Sequence, residues 1–425
     1  MVGGGSGSVT AAPLPEPEPS LPTSQAEHRP AQRPRDRKTV IARHAQALFS
    51  ERGYNSVPMT EIAQAVGITA GAVYRHYSNK RDLLSDIVNS SQRRFLSALE
   101  DLGSQSVADP GRALSDGLVG MAAASLDSEH FAALWQREAR HLAPEDQAGM
   151  RSRLNEMAGR LRDTIHSARQ GLGAVSAEVQ AWAVLAIMVS PGHHSETLPR
   201  PAFDRFLVSA CRAALNSEDP GSDLDEWSRT APAAGQNVVS RREQILAAAA
   251  QAFRRQGYQG VSTDDIGAAA GVAGPALYRH FDAKSDILVA LIRRHQEWVA
   301  YEATCALQRV PSGEPASVLA ALVRSYVRVS LNAPDLLSVT ITEWLDLPER
   351  EVDALERVRH DNRLAWAHWL SLVRPALSRS DALLLVRTAI ILIEDTVRIT
   401  HLLRAPHIET QLATLALALM RDAAW

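Results

Sequence analysis

Tyrosine, arginine, histidine and lysine side chains recur in two distant parts of this 425-residue chain with the same spacing. The two sets are Tyr74, Arg75, His76 and Lys80, and Tyr278, Arg279, His280 and Lys284. These residue types donate hydrogen bonds or carry positive charge, which suits DNA phosphates and base edges. Only three lysines occur in the whole chain, and two of them stand at this repeated position. The pattern predicts two copies of one nucleic-acid-binding unit.

Both sets lie inside an internal repeat. A shift of 204 residues places 37–84 on 241–288 without a gap, and 17 of the 48 positions are identical. The similarity continues more weakly beyond this block, where EARHLAP at 138–144 resembles EWLDLP at 343–348 with one residue fewer. Each half then continues with a polar helical segment, an apolar one and a final amphipathic one. The chain is therefore a doubled unit.

Helical periodicity dominates both halves, so we expect an all-α fold. In each copy a first helix buries one apolar face and ends at a glycine, Gly53 or Gly257, which is expected to take the left-handed conformation. A second short helix follows, and in the second copy Ser262 and Asp265 have the spacing of a capping box. A third short helix carries the Tyr-Arg-His triplet. Two short helices joined by a tight turn and braced by a first helix form a helix-turn-helix, whose second helix enters the major groove.

The segments that carry this pattern are GYNSVPMTEIAQAVGITAGAVYRHYSNKRDLL and GYQGVSTDDIGAAAGVAGPALYRHFDAKSDIL. Both resemble the DNA-binding domain of tetracycline-repressor (TetR) family transcription regulators, with the spacing from Gly-Tyr through Tyr-Arg-His to Lys preserved. The resemblance implies two tandem TetR-like units. Each unit would be a three-helix helix-turn-helix DNA-binding domain followed by a helical ligand-binding and dimerisation domain.

The resemblance also assigns roles to residues. The first turn of the recognition helix would lie against bases and the following tyrosine, histidine and lysine against phosphates, with the arginine at either. The residues concerned are Thr69, Ala70, Gly71, Tyr74, Arg75, His76 and Lys80 in the first copy, and Gly274, Pro275, Tyr278, Arg279, His280 and Lys284 in the second. Pro275 is acceptable in a first helical turn, where its missing N–H costs little. Ala273 replaces the capping Thr69.

Composition sets the expected boundaries. We expect a disordered tail at 1–34, a first helix-turn-helix domain at 35–90, a first helical regulatory domain at 91–215, an acidic linker at 216–239, a second helix-turn-helix domain at 240–293 and a second regulatory domain at 294–425. Between 29 and 94 there are 12 basic and 5 acidic side chains, and between 240 and 295 there are 8 and 5. Since the whole chain has a net charge of −3, basic charge is concentrated where DNA would lie.

None of the eight tryptophans falls in either repeated block. Five of them lie in the regulatory segments: Trp135, Trp182, Trp344, Trp366 and Trp369. Packing in the core explains them most simply. The functional alternative is a pocket for an apolar or aromatic small-molecule effector.

Other classes of function have little support. The two cysteines stand outside any CxxC, and no catalytic or cofactor-binding motif occurs, so we expect no enzyme, no cofactor and no metal. His193, His194 and Glu196 hint at a metal site, but a plain loop is favoured. No signal peptide or membrane span is expected, because Arg387 interrupts the most apolar stretch, 382–393, and a cytoplasmic protein follows.

These observations favour a ligand-responsive repressor that binds operator DNA with two unequal heads. One chain could act as a pseudo-dimer through helices at 177–190, 203–215, 381–403 and 408–420. Two alternatives stay open: an ordinary homodimer in which one head reads DNA, and a small-molecule sensor or adaptor in which one or both heads do not.

Overall fold

The computed structural model describes residues 34–100, 109–128, 134–193, 198–217, 240–272, 274–310 and 313–425. This part contains 17 α-helices and no β-strand, so the all-α expectation is confirmed. The expected tail lies outside the described residues apart from Pro34, and the expected linker does so apart from Asn216 and Ser217.

The helices of the two halves follow the same order. The first half has α1 Pro34–Arg52, α2 Met59–Val66, α3 Ala70–Tyr74, α4 Lys80–Ala98, α5 Pro110–Leu126, α6 Pro144–Ala168, α7 Ala174–Val189 and α8 Arg200–Leu215. The second half has α9 Arg241–Gln256, α10 Thr263–Ala270, α11 Gly274–Leu277, α12 Lys284–Gln308, α13 Pro315–Asn332, α14 Pro334–Thr342, α15 Glu349–Val373, α16 Arg379–Val397 and α17 Ile408–Asp422. A π-helical turn at Leu134–Glu138 and a 3₁₀ turn at Ala139–His141 precede α6. A 3₁₀ turn at Trp344–Asp346 precedes α15.

The first three helices of each half form a compact head. Ile41, Ala45 and Phe49 are fully buried on one face of α1, and their counterparts Ile245, Ala249 and Phe253 are fully buried on α9. The expected capping box at α10 is present: the Ser262 hydroxyl accepts from the Asp265 N–H at 3.1 Å, and the Asp265 carboxylate accepts from the Ser262 N–H at 2.9 Å. In the first head, Pro58 stands at the equivalent place and makes no side-chain cap.

The glycine that ends the first helix of the second head differs from expectation. Gly257 has φ +75° and ψ +158°, a positive φ but not the left-handed helical conformation. The extended ψ lets the next residue, Tyr258, direct its backbone N–H to the Glu343 carboxylate at 2.9 Å. A Cβ at Gly257 would lie 2.5 Å from the guanidinium of Arg140, so a side chain here would have to displace that arginine from its pair with Glu343.

Four apolar helices join the two halves. Helix α8 packs against α17, and α7 packs against α16. Phe206 and Leu207 of α8 and Leu412 and Leu419 of α17 are fully buried there. These helices contribute to one continuous core that includes the first head, whereas the second head has a core of its own. In the described part, Ala174–His193 is long and apolar enough to cross a membrane, and 72% of its most apolar window is buried inside the protein.

Each half also contacts the head of the other half. The Arg140 guanidinium, in the turn before α6, pairs with the Glu343 carboxylate, which is fully buried at the end of α14. Glu343 also accepts from the Thr342 hydroxyl at 2.6 Å, in addition to the Tyr258 N–H described above. At the corresponding place in the first head, the Leu345 side chain lies close to Gly53. A Cβ atom added to Gly53 would be 3.7 Å from the leucine Cδ1. The first half thus places an arginine next to the second head, and the second half places a leucine next to the first head.

The buried ion pair between the halves gives a first prediction. Glu343→Gln should lower the free energy of unfolding by about 2 kcal/mol, because it leaves the Arg140 charge without its counterion. Urea denaturation measures this, and a double-mutant cycle with Arg140→Met should give a coupling energy of at least about 1 kcal/mol.

The matched control is Glu351→Gln. Glu351 pairs with Arg293 at 2.9 Å, but the Arg293 side chain is about half exposed, so the change should cost less than about 1 kcal/mol. Equal losses for the two variants would contradict a special contribution of the contact between the halves.

Candidate functional site

The first recognition helix presents polar groups on a well-anchored scaffold. Thr69 caps α3, its hydroxyl accepting from the Ala72 N–H at 3.3 Å, one residue before the helix begins. Val73 is fully buried and holds the helix to the head. Tyr74 is 52% exposed and Arg75 is exposed, whereas His76 is half-buried. Three of the predicted DNA-contacting side chains are therefore accessible at least in part.

The second recognition helix repeats this arrangement with a shorter helix. α11 spans Gly274–Leu277, so Pro275 is its second residue and fits the first turn. Leu277 is fully buried, and Tyr278 after it is 52% exposed. The Tyr278 hydroxyl lies 3.0 Å from that of Thr263 on α10. Arg279 and His280 are exposed. Ala273, which replaces the capping Thr69, lies outside the described residues.

The two repeated lysines hold the loop before each short helix pair. Lys284 donates to the carbonyls of Tyr258 at 2.9 Å and Val261 at 2.8 Å, and its Nζ lies 4.3 Å from the Tyr258 ring centre. Lys80 lies 4.3 Å from the Tyr54 ring centre and donates to the Asn55 carbonyl at 3.5 Å. Partial burial lowers the pKa of both lysines. An ammonium has three donors, so at Lys284 one remains for a phosphate.

Sequence reasoning missed this internal role of the lysines. Its signal was present in the repeat, because the Gly-Tyr pair and the lysine recur together in both copies. A cation over a tyrosine ring at this distance is a favourable contact, and it fixes the loop in which the tyrosine lies. The phosphate-binding role stays a prediction.

A cavity of about 600 Å³ lies where the second regulatory segment meets the first half. Helices α12 to α16 form most of its wall, and Gln136, Arg137 and His193 from the first half complete it. Four arginines line it: Arg137, Arg359, Arg363 and Arg387. Its carboxylates are Asp361, Glu394 and Asp395. The volume is in the range of small-molecule binding sites.

Two buried histidines contribute to this cavity. The Nε2 atoms of His193 and His295 are shielded from solvent and have no hydrogen-bond partner among the residues that the structure describes. Burial, together with Arg387 and other nearby arginines, lowers the pKa of His193 to about 3. Burial and Arg359 lower the pKa of His295 to about 4. Both rings are therefore neutral near pH 7.

The five tryptophans lie elsewhere. Trp135 and Trp182 line a separate cavity of about 20 Å³, and Trp366 is 1% exposed and packs edge-on against Tyr326. Trp344 stacks under the Arg359 guanidinium, and Trp369 lies beside His368. None of the five lines the large cavity. An apolar or aromatic effector beside them stays a prediction.

A metal site is not indicated in the part of the chain that the structure describes. No group of three or more His, Cys, Asp or Glu side chains there could hold a metal ion. His193 belongs to a short 3₁₀ turn, and its expected partners His194 and Glu196 lie outside the described residues.

The fold and the two exposed triplets define a class of protein, the helix-turn-helix proteins. Comparison with known proteins then gives the family. The family described as bacterial regulatory proteins, tetR family, matches at residues 41–87 and again at 245–291. Each half of the chain thus contains one segment that matches the tetR family, and the resemblance recognised in its sequence is confirmed.

Individual relatives match in part. The transcriptional repressor KstR2 of Rhodococcus jostii is 32% identical over 122 residues, which are 28% of this chain and 58% of that protein. The transcriptional activator FasR of Mycolicibacterium smegmatis is 42% identical over 55 residues, 13% of this chain and 25% of that protein. A solved TetR-family regulator from Bordetella parapertussis is 24% identical with a TM-score of 0.39, covering 43% of this chain and 94% of its own. The chain thus spans little more than half the length of the first relative.

The buried His295 gives a prediction about pH. Its pKa is lowered from 6.5 to about 4, so between these values the unfolded chain binds a proton that the folded chain does not. The free energy of unfolding should therefore fall by about 2–3 kcal/mol on this account as the pH drops from 6.5 to 4.

His295→Ser is the matched variant, because Ser91 occupies the equivalent place 204 residues earlier and is buried there. His141 and His193, whose pKa values are also lowered, remain in both proteins, so the difference between the two pH profiles isolates His295. Parallel profiles from urea denaturation would contradict the prediction.

Proposed function

We propose that this protein is a bacterial transcriptional regulator, a ligand-responsive repressor that binds operator DNA with both heads of a single chain. The observation that carries the proposal is the duplication itself: two tetR-family segments stand in one chain, and each exposes its tyrosine and arginine beyond a buried anchor. Repression rather than activation is favoured by the longer of the two matches, the repressor KstR2.

The packing of the halves supports a pseudo-dimer. Helices α7 and α8 of the first half bury their apolar faces against α16 and α17 of the second. We assign the heads to 35–90 and 240–293 and the regulatory domains to 91–215 and 294–425. Ordinary helix-turn-helix dimers meet half-sites about 34–36 Å apart, or multiples of this, and one chain with two heads could do the same. Operator binding requires access to the chromosome, so we assign the protein to the cytoplasm.

The recognition helices differ in the turn that would face bases. Thr69, Ala70 and Gly71 in the first head correspond to Ala273, Gly274 and Pro275 in the second. Because base-edge contacts specify sequence while phosphate contacts position the protein, the two heads should prefer different half-sites. We therefore propose an operator whose halves are not identical.

The stoichiometry of the DNA complex tests this function. Operators selected from random duplexes should carry two unequal half-sites, and analytical ultracentrifugation should find one chain per duplex. Two chains per duplex on a palindrome would show an ordinary homodimer with one reading head. Absence of salt-dependent DNA binding would overturn the proposal in favour of a sensor or adaptor.

The repeated lysines give a further prediction. Lys80→Ala and Lys284→Ala should each lower the slope of log Kd against log salt concentration by about one, since each removes one phosphate contact. Lys284→Ala should also destabilise the second head, because it loses two hydrogen bonds to carbonyls.

The control is Arg205→Ala, which removes an exposed charge from α8, away from both heads. Its salt slope should equal that of the unmodified protein. A destabilised Lys284→Ala protein with an unchanged salt slope would show that the lysine only holds the loop.

A further inference from the structure

The two halves contain equivalent cavities of very different size. The helices after the heads begin at matching places: α12 starts 204 residues after α4, and α15 and α16 start 205 residues after α6 and α7. With these shifts, eight of the ten residues that line the 20 Å³ cavity fall on residues that line the 600 Å³ cavity. The other two, Asp395 and Ile399, come from the second half, and Asp395 lines both cavities. The smaller space has room for about one water molecule and no effector.

Larger side chains fill the first cavity. Its wall residues Phe95, Trp135 and Trp182 stand where the second cavity has Val299, Thr340 and Arg387. Two aromatic side chains thus replace a valine and a threonine, and a third replaces a charged residue.

The walls of the two cavities also differ in polarity, and those of the second are more polar. Leu154 and Val189 of the first cavity correspond to Arg359 and Glu394 of the second. The first cavity is therefore a filled, apolar space, whereas the second is open and charged.

The groups around the second cavity favour an anion with an apolar body. Ile341, Ile390 and Ile391 supply an apolar wall. Of its carboxylates, Glu394 accepts from the Tyr326 hydroxyl at 2.6 Å, Asp395 accepts from the Gln136 amide at 2.5 Å, and Asp361 is exposed.

Arginine side chains form the basic part of the cavity wall. Arg137 and Arg363 are paired with Glu138 and Glu356, which do not line the cavity. A guanidinium has five N–H donors, and the pairs with Glu138 and Glu356 use only some of them. An acidic group of a ligand would accept from the remaining donors and lie in the field of the arginines.

We propose that the chain binds one effector, an amphipathic organic acid, in the cavity of the second half, while the first-half cavity is filled and binds none. The proposal rests on the proposed function and names the effector class and its site. None of the five tryptophans lines this cavity, although Trp366 and Trp344 contact its wall residues Tyr326 and Arg359.

Contacts lead from this cavity to both heads. Arg137 lines it and donates to the carbonyls of Phe49 at 3.1 Å and Ser50 at 2.7 Å, near the end of α1. Ile341 lines it from α14, two residues before Glu343, which holds the Tyr258 N–H of the second head. A ligand that binds better to one arrangement of these contacts shifts the head arrangement by that difference in affinity.

Fluorescence titration of the full chain tests the proposal with two matched probes. One is 1-anilinonaphthalene-8-sulfonate, an amphipathic anion, and the other is N-phenyl-1-naphthylamine, which has the same rings without the charge. We expect one anionic probe to bind per chain, at least tenfold more tightly than the neutral probe. At saturating concentrations of the anionic probe, the protein should bind operator DNA more weakly. Two sites per chain, or equal affinity for both probes, would overturn the proposal.

Variants locate the site. Val299→Phe introduces the first-half residue and should weaken the anionic probe at least tenfold. Arg387→Met keeps most of the volume and should weaken the anionic probe about tenfold while changing the neutral probe less than twofold. Trp182→Leu is the matched change in the first cavity and should leave one site per chain. If Val299→Phe binds like the unmodified protein, or Trp182→Leu alone abolishes binding, the assignment is wrong.

Operator affinity measured on the same proteins separates the two proposals. If DNA binds but the probe neither binds at one site nor changes DNA affinity, the effector assignment fails and the regulator stands. If one probe binds in the second cavity but no DNA binds, the cavity assignment is supported and the proposed function fails. Thermal denaturation of each variant shows whether a loss of binding reflects unfolding.

Discussion

The burial of α7 is the constraint on which the rest of the structure depends. Of its 16 residues 12 are buried, which leaves almost no face for solvent. A helix that is apolar all round has to be covered on every side, and its own half covers only part of it. Helix α16 of the second half supplies the remaining cover. The two halves therefore share one core, which also includes the first head.

Duplication within one chain allows the two halves to change separately. In a homodimer every substitution appears twice, so a cavity filled in one subunit is filled in both. Here Trp182 and Arg387 occupy equivalent places on α7 and α16, one closing a cavity and the other lining one. Arg140 and Leu345 likewise meet opposite heads with different chemistry. The first turns of the two recognition helices also differ in sequence. The two halves therefore keep the same order of helices, while individual equivalent residues differ.

The heads could be predicted from sequence because their determinants are local. The capping pair Ser262 and Asp265 is three residues apart, and the buried face of α1 follows a helical period. The cavity could not be predicted in this way, since His193, His295 and Arg387 come together only when three distant segments fold. Tryptophan content indicated the regulatory segments, but none of the five tryptophans lines the large cavity. The bonds from Lys284 to two loop carbonyls were missed for a related reason: exposed and inward-facing lysines look alike in sequence.

The presence of an arginine rather than an apolar residue at the contact between the halves has an energetic consequence. The Arg140–Glu343 pair is partly desolvated, and such a pair is stable only while its geometry is kept, because removing either charge leaves the other uncompensated. An apolar contact such as that of Leu345 with Gly53 tolerates sliding. The contact between the halves therefore has one part with fixed geometry, at Arg140 and Glu343, and one part that allows small displacements, at Leu345 and Gly53.

Glu343 also accepts a hydrogen bond from the Tyr258 N–H and lies two residues from the cavity wall, so a change in α14 reaches the second head through fixed bonds. The first head receives the same change through Arg137 and the carbonyls at the end of α1, a contact to backbone alone. The effector proposed for the second cavity would in this way move the two unequal heads by unequal amounts, which is consistent with the proposed operator of unequal halves.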